Sequence, residues 1–178
     1  VSIERFRLRN KHNWKSKPGY SICVLNRGQV RFDYPETWNV EPKDDSLLLH
    51  DLPPSLESCD LGVSVFPVPG ELVRDLPIED SLRSSLAGER KPDYQSEIHR
   101  AERDDLEIVW LEQGHFDVEH KRHARFRVAL ARGEIICLVS LNYWADRAAI
   151  LEPVWDEVLR TLVMGVPVDD PTAGPLVQ

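Results

Sequence analysis

Cysteine, glycine and methionine are scarce: 3, 9 and 1 in 178 residues. The cysteines are odd in number and share no short spacing, so Cys23, Cys59 and Cys137 form neither a disulfide framework nor a zinc motif. Cys23 and Cys137 lie in the apolar runs SICVL and IICLV and are expected as buried thiols. With so few glycines there is no phosphate-cradling P-loop, no Gly-x-Gly-x-x-Gly and no Gly-x-Ser-x-Gly elbow. Long apolar runs are missing too: nothing approaches the roughly 18–20 residues of a membrane span, and no signal-peptide core is visible. These absences argue for a non-enzymatic protein with no catalytic residue, no cofactor and no membrane partner. They also place it in the cytoplasm, provided no leader was removed before Val1.

Excess positive charge is likewise absent. The chain has 22 Lys and Arg against 30 Asp and Glu, a formal net charge of −8, which counts against nucleic acid as a partner. The sum hides an asymmetry. Residues 1–31 carry eight basic side chains and only Glu4, or +7, leaving 14 basic and 29 acidic residues, or −15, for the rest. The expectation is a basic N-terminal arm, residues 1–20, lying against the acidic body of its own fold or of a second copy. The second case would give a homodimer. Adjacent carboxylates at Asp44-Asp45, Asp104-Asp105 and Asp169-Asp170 do not face each other across a site and read as solvated loops.

What is present is ordinary globular composition, 42% hydrophobic and 29% charged, on a length suited to one domain. Residues 21–165 are expected to form it, and the Pro-rich end, residues 166–178, a flexible tail. Ser21–Asn26 and Gln29–Tyr34 flank Asn26-Arg27-Gly28 and read as a hairpin, with Val30, Phe32 and Tyr34 on one side. Ser46–His50 and Leu61–Val68 read as further strands. Ile78, Leu82 and Leu86 recur at helical spacing behind Pro77, with Gly88 near the end. Residues 88–105 are nearly all polar and predict a long mobile loop or a frayed surface helix.

Residues 106–144 predict a three-stranded antiparallel meander. A two-residue turn at Arg132-Gly133 would pair Leu130 with Ile135, Val128 with Cys137, Phe126 with Val139 and Ala124 with Leu141. A turn centred on Lys121 would pair Phe116 with Phe126, Asp117 with Arg125, Val118 with Ala124 and Glu119 with His123. Gly114 then reads as a bulge or bend. One face of this meander carries Arg125 and Arg127, then Ala129, Ile136 and Leu138, and needs a cover. A terminal helix follows, with Pro153 in its first turn, an apolar stripe from Val154 to Val163, and Gly165 as its stop.

The order hairpin, strands, helix, meander, terminal helix is joined to Val30-Arg-Phe-Asp-Tyr-Pro-Glu-Thr-Trp-Asn-Val40. In this respect the chain resembles the PsbP/Mog-like superfamily, whose members open with a strand ending in an aromatic-Pro-x-x-Trp turn. Here Phe32, Tyr34, Pro35, Trp38 and Val40 match, and Val154–Met164 matches the closing helix. The resemblance implies an α+β fold, three-layer α/β/α, with a central antiparallel sheet of about six or seven strands. It also implies a non-catalytic binding or assembly module, bacterial in this case, whose partner is another protein. The acidic helix surface by which the superfamily's nuclear import factor binds Ran has no residue-by-residue match here.

Two constellations could carry binding. Trp38 and Trp144, at a turn and a strand end, either cap the core or rim a cleft with Arg125 and Arg127; the cleft would lie between residues 88–105 and that end of the sheet. Trp110 and Trp155 read as core. The alternative is a metal or small-ligand site in the His115–His123 segment, where the predicted register puts His115, Asp117, Glu119 and His123 on one face. The bland reading of that face is a solvated strand with opposite charges.

Overall fold

The computed structural model describes residues 9–43, 46–53, 55, 57–66, 68, 70–86, 91–103, 106–165 and 167–174, with backbone alone at 70 and 71. The first eight residues of the basic arm, Asp44-Asp45, Gly88 and Asp104-Asp105 lie outside these. The expected hairpin is present: β1 (Tyr20–Leu25) pairs antiparallel with β2 (Val30–Pro35), Cys23 opposite Phe32. Its turn carries left-handed backbone at Asn26, Arg27 and Gly28, and the glycine accepts a φ of 90° that a Cβ would strain.

The main sheet is antiparallel, in the order β3 (Asn39–Pro42), β4 (Ser46–His50), β5 (Asp60–Phe66), β10 (Ile136–Trp144), β9 (Arg122–Arg132), β8 (Leu106–Asp117) and β6 (Tyr94–Gln95), with β7 (His99–Arg103) also on the free side of β8. That makes eight strands, with β1, β2 and β11 (Val163–Met164) in a separate three-stranded sheet, where about six or seven strands were expected in one. The buried His50 bridges the first strands, its Nδ1 2.7 Å from Asp60 and its Nε2 3.3 Å from Glu41.

Among the described residues three α-helices accompany the sheets: α1 (Gly70–Asp75), α2 (Ile78–Ser85) and α3 (Ala148–Thr161). Alternation along the strands divides the apolar side chains into two clusters. Ala129, Ala131, Cys137, Val139 and Leu141 pack with Leu151, Trp155 and Val158 of α3 and with Val30 and Phe32 of the small sheet. Val109, Leu111, Val128, Leu130 and Ile136 pack with Val73, Ile78 and Leu82 of α1 and α2. So α2 forms as its spacing predicts. Helix α3 begins before Pro153, which lies inside it, because buried Leu151 holds an earlier turn against the core. It ends at Thr161, ahead of Gly165, where Val163 and Met164 leave the helix to pair with Arg31 and Val30. Arg103 closes that end: its guanidinium donates to the carbonyls of Leu159, Arg160 and Leu162, acceptors that the last turn leaves unpaired.

The meander forms, but both registers differ from expectation by three residues. Val128 faces Ser140 and Leu130 faces Leu138; Phe116 faces His123 and Asp117 faces Arg122. An odd slip exchanges faces, so Arg125, Arg127 and Ala129 line up with Tyr143, Leu141 and Val139 rather than with Ile136 and Leu138. The cause lies in charge and burial. Glu107 stands opposite Arg132 and Glu112 opposite Arg127, both as ion pairs. Ile135 leaves the ladder to bury itself in the core, which lengthens the turn that Gly133 begins. Gly114 sits in regular pairing opposite Arg125 and Tyr94, with no bulge; a Cβ there would lie 2.8 Å from Arg125 Nη1.

Residues 94–103, read as loop or frayed helix, are largely edge strands, because β8 offers them an open ladder. The C-terminal stretch, read as a loose tail, is pinned over residues 167–174. Backbone bonds join Arg9 to Thr172, Asn13 to Ala173 and Val168 to Arg27, and the Trp14 indole donates to the Pro171 carbonyl at 2.8 Å. Arg9 pairs with Asp170, and Lys17 with Glu157 of α3 at 3.1 Å. Over these described residues the basic arm therefore lies on acids of its own chain.

Candidate functional site

Three rows of side chains cross the sheet on the α3 side: Val139, Ala129, Trp110 and His99; Leu141, Arg127 and Glu112; Tyr143, Arg125, Gly114 and Tyr94. Helix α3 covers the start of each row. Toward the sheet edge the cover ends, leaving a cleft of about 130 Å³ lined by Tyr94, Ser96, His99, Trp110, Glu112 and Arg127. Its edge is held open where the chain passes between β6 and β7. There Ser96 N donates to the Glu112 carbonyl and Glu112 N donates to Ser96 Oγ, both at 2.9 Å, so a hydroxyl replaces one rung of the ladder.

Glu112 is the centre of the polar floor. It accepts from Arg127 Nε at 2.7 Å and from the Tyr143 hydroxyl at 3.0 Å, and lies 3.4 Å from Arg125 Nη1. Arg127 reaches on to Glu152 of α3 at 2.9 Å. Burial opposes the Arg127 charge, yet its bond to Glu112 and the nearby acids outweigh burial and hold it more firmly protonated than usual. Burial, followed by the neighbouring carboxylates, pushes the Tyr143 phenol upward despite the opposing Arg127 charge. The rim is aromatic. His99 stacks on Trp110 with centroids 5.4 Å apart, and the Arg125 guanidinium lies 5.0 Å from the centre of the Tyr94 ring.

The acids and guanidinium groups here compensate one another's charge. The thiols are elsewhere and inert: burial drives Cys137 up to about 12, and burial followed by the nearby Asp51 charge takes Cys59 to about 12.

Residues 21–168 match the profile of the Alr1449 family. A relative from Nostoc sp., carrying the name "Uncharacterized protein alr1449", is 35% identical over 174 residues, covering 96% of this chain and 91% of that one. The chain belongs to the Alr1449 family. Solved structures place this Alr1449 member in a PsbP-like fold. The solution structure of cyanobacterial PsbP (CyanoP) from Synechocystis aligns with a TM-score of 0.53 at 18% identity, over 84% of this chain and 95% of that one. A Bacteroides thetaiotaomicron crystal structure gives 0.60 at 14% identity over 83% of this chain; the chain spans 49% of that longer protein. LpqN of Mycobacterium tuberculosis, a protein involved in cell envelope biogenesis, gives 0.50 at 11% identity, over 84% and 87% of the two chains. Likeness at these identities concerns the fold alone.

Of the residues singled out from the sequence, Arg127 lines the cleft and Arg125 adjoins it. Trp38 is buried in the main core. Trp144 is also buried, under the Arg122 guanidinium at 4.7 Å, and Arg122 pairs with Glu57 and Asp146; neither tryptophan rims the cleft. The histidine segment does not converge as expected, because the register sets His123 against Phe116 while His115 faces Ala124. Asp117 instead accepts from the His120 backbone, and Glu119 lies in the connecting turn. Among the described residues no group of three or more His, Cys, Asp or Glu is arranged to hold a metal ion. Sequence reasoning did not single out Tyr94, Ser96, His99, Glu112 and Tyr143; Trp110, expected as core, does pack against the main core and also lines the cleft. The strand alternation Trp110, Glu112, Gly114 was the available signal: a face bearing an aromatic, an acid and a glycine is not a sealed core face.

Proposed function

We propose that this Alr1449 protein is a non-catalytic binding or assembly module whose partner is another protein, held at the cleft between α3 and the β6/β7 edge. The observation that carries this reading is the mutual neutralisation of Glu112, Arg127, Arg125 and Glu152 beside an aromatic rim. Such a floor positions and selects, and offers no activated nucleophile or base. Trp110 and Tyr94, both large rings at a partly open site, are the kind of residue that dominates binding energy. The resemblance supports a bacterial protein in a PsbP/Mog-like three-layer arrangement, α2 and α3 covering the two faces of the sheet, and the three free, buried thiols support the cytoplasm. The net charge of −8 supports a partner other than nucleic acid or membrane. The basic arm remains a second contact, through which two copies would pair.

Capture from a host lysate tests the reading. The tagged chain is expected to retain a discrete protein that the folded variants Trp110→Ala and Arg127→Met do not retain. Equal capture by all three refutes the cleft. Turnover of a substrate that depends on Glu112 refutes the non-catalytic assignment.

A further inference from the structure

The cleft's chemistry narrows what kind of segment fits it, given that the cleft is the partner-binding site. Every charge on its floor already has an opposite charge within 2.7–3.4 Å, so a charged ligand group would have to break an internal pair to gain one. An uncharged group has no such cost. About 130 Å³ corresponds to roughly four water molecules, room for one ring and not for a large cofactor. The lining supplies ring surface from Trp110, His99 and Tyr94, the last 47% exposed.

The cleft also interrupts an edge. Among the described residues β6 and β7 pair only with β8, so their outer sides present backbone donors and acceptors on either flank of the cleft. Main-chain pairing along an edge, with a pocket for one side chain, is the physical basis of strand addition. Proline would forfeit a ladder donor at the point of entry, and the flat faces of Trp110, His99 and Tyr94 favour a stacked ring over an aliphatic chain. We infer that the β6/β7 edge takes up an extended partner segment as an added strand and that the Tyr94–Trp110 cleft receives an uncharged aromatic side chain from it.

The probe is a fluorescently labelled, end-capped Thr-Val-Tyr-Val-Thr peptide, followed by anisotropy with the full chain. Saturable binding is expected, about tenfold weaker when the central tyrosine is alanine, aspartate or lysine, and weaker by a similar factor against the folded variants Trp110→Ala and Tyr94→Ala. Tyr94 is on the exposed rim, so its variant keeps the test valid if loss of Trp110 impairs folding. N-methylation of the flanking valines is expected to weaken binding, and free p-cresol to compete poorly. Equal affinity for the alanine peptide overturns the aromatic pocket. Indifference to N-methylation, or full competition by p-cresol, overturns strand addition. A lysate partner lost with Trp110→Ala but not displaced by the tyrosine peptide overturns this inference while leaving the binding-module reading standing.

Discussion

Glu107–Arg132 and Glu112–Arg127 are the same chemical pair, on the same two strands, five residues apart. Because five is odd, they lie on opposite faces of the sheet. Arg132 sits beneath the α1–α2 connection, where it also donates to the carbonyls of Arg74 and Leu76, while Arg100 joins Glu107 at 3.0 Å. Every partner there is structural: the pair pins a helix connection to the sheet. Arg127 is no more exposed, 18% against 23%, but its second partner is the Glu152 carboxylate of α3, and its pair forms the floor of the cleft. Whether an ion pair acts as a staple or as a binding surface is thus set by what lies against it, not by its own chemistry.

Two substitutions would break or sharpen that contrast. Replacing Arg132 with methionine is expected to cost the most, about 2–3 kcal/mol, since it strands two carbonyls of the helix connection and leaves the largely buried Glu107 with Arg100 alone. Arg127→Met should cost about 1 kcal/mol, because Glu112 keeps Arg125 and Tyr143 and the bonds lost run to carboxylates rather than to carbonyls of a helix connection. Urea unfolding of both variants measures the difference, and equal losses would remove the distinction between the faces.

A second pair, Asp33 and Glu157, sharpens the same point through pH. Both are buried, 7% exposed. Asp33 is raised above the ordinary carboxylate value, by burial first and by the Glu157 charge, against the opposing bond from Lys17. The fold therefore loses stability as pH rises from the unfolded value of Asp33 through its native one, and Asp33→Asn should relieve that loss at neutral pH and change little in acid. Glu157 is lowered by its bond to Arg160 first and then Lys17, despite burial. Its stabilisation is present above its unfolded value and disappears as pH falls through the native one. Glu157→Gln should thus lower the Tm at neutral pH and not in acid. Melting curves across that range should show pH dependences of opposite sign.

The smallest expected effect is at Gly114. A Cβ there meets only the end of the Arg125 side chain, so Gly114→Ala should alter stability by about 0.5 kcal/mol or less while displacing Arg125 from Glu112 and Tyr94. Gly28→Ala is the control. It combines a positive φ with a Cβ 2.8 Å from Val168 and should cost more, read from the same unfolding curves.

Much of the fold was legible. The Asn26-Arg27-Gly28 turn, the 78–82–86 spacing and the apolar stripe of α3 are local signals, and local signals survive into the structure. The registers were less legible because turn preference and apolar matching favoured short turns. A longer-range signal was available in the mirrored spacing of Glu107, Glu112 and Asp117 against Arg122, Arg127 and Arg132, two pairs of which become ion pairs. Cross-strand charge outweighed the tight turn. Once the register moved, Arg127 met Glu112 rather than His115, and the histidines parted.

The amino-acid order by itself determined the hairpin, the meander strands, helices α2 and α3, the burial of the thiols and the contrast between basic arm and acidic body, since each depends on neighbours in the chain. Only the tertiary structure decided that Tyr94, Ser96 and His99 would meet Trp110, Glu112 and Arg127, because that meeting requires β6 and β7 to find the open edge of β8 and α3 to stop short of it. Those are choices of pairing and cover between distant segments, and no local pattern fixes them.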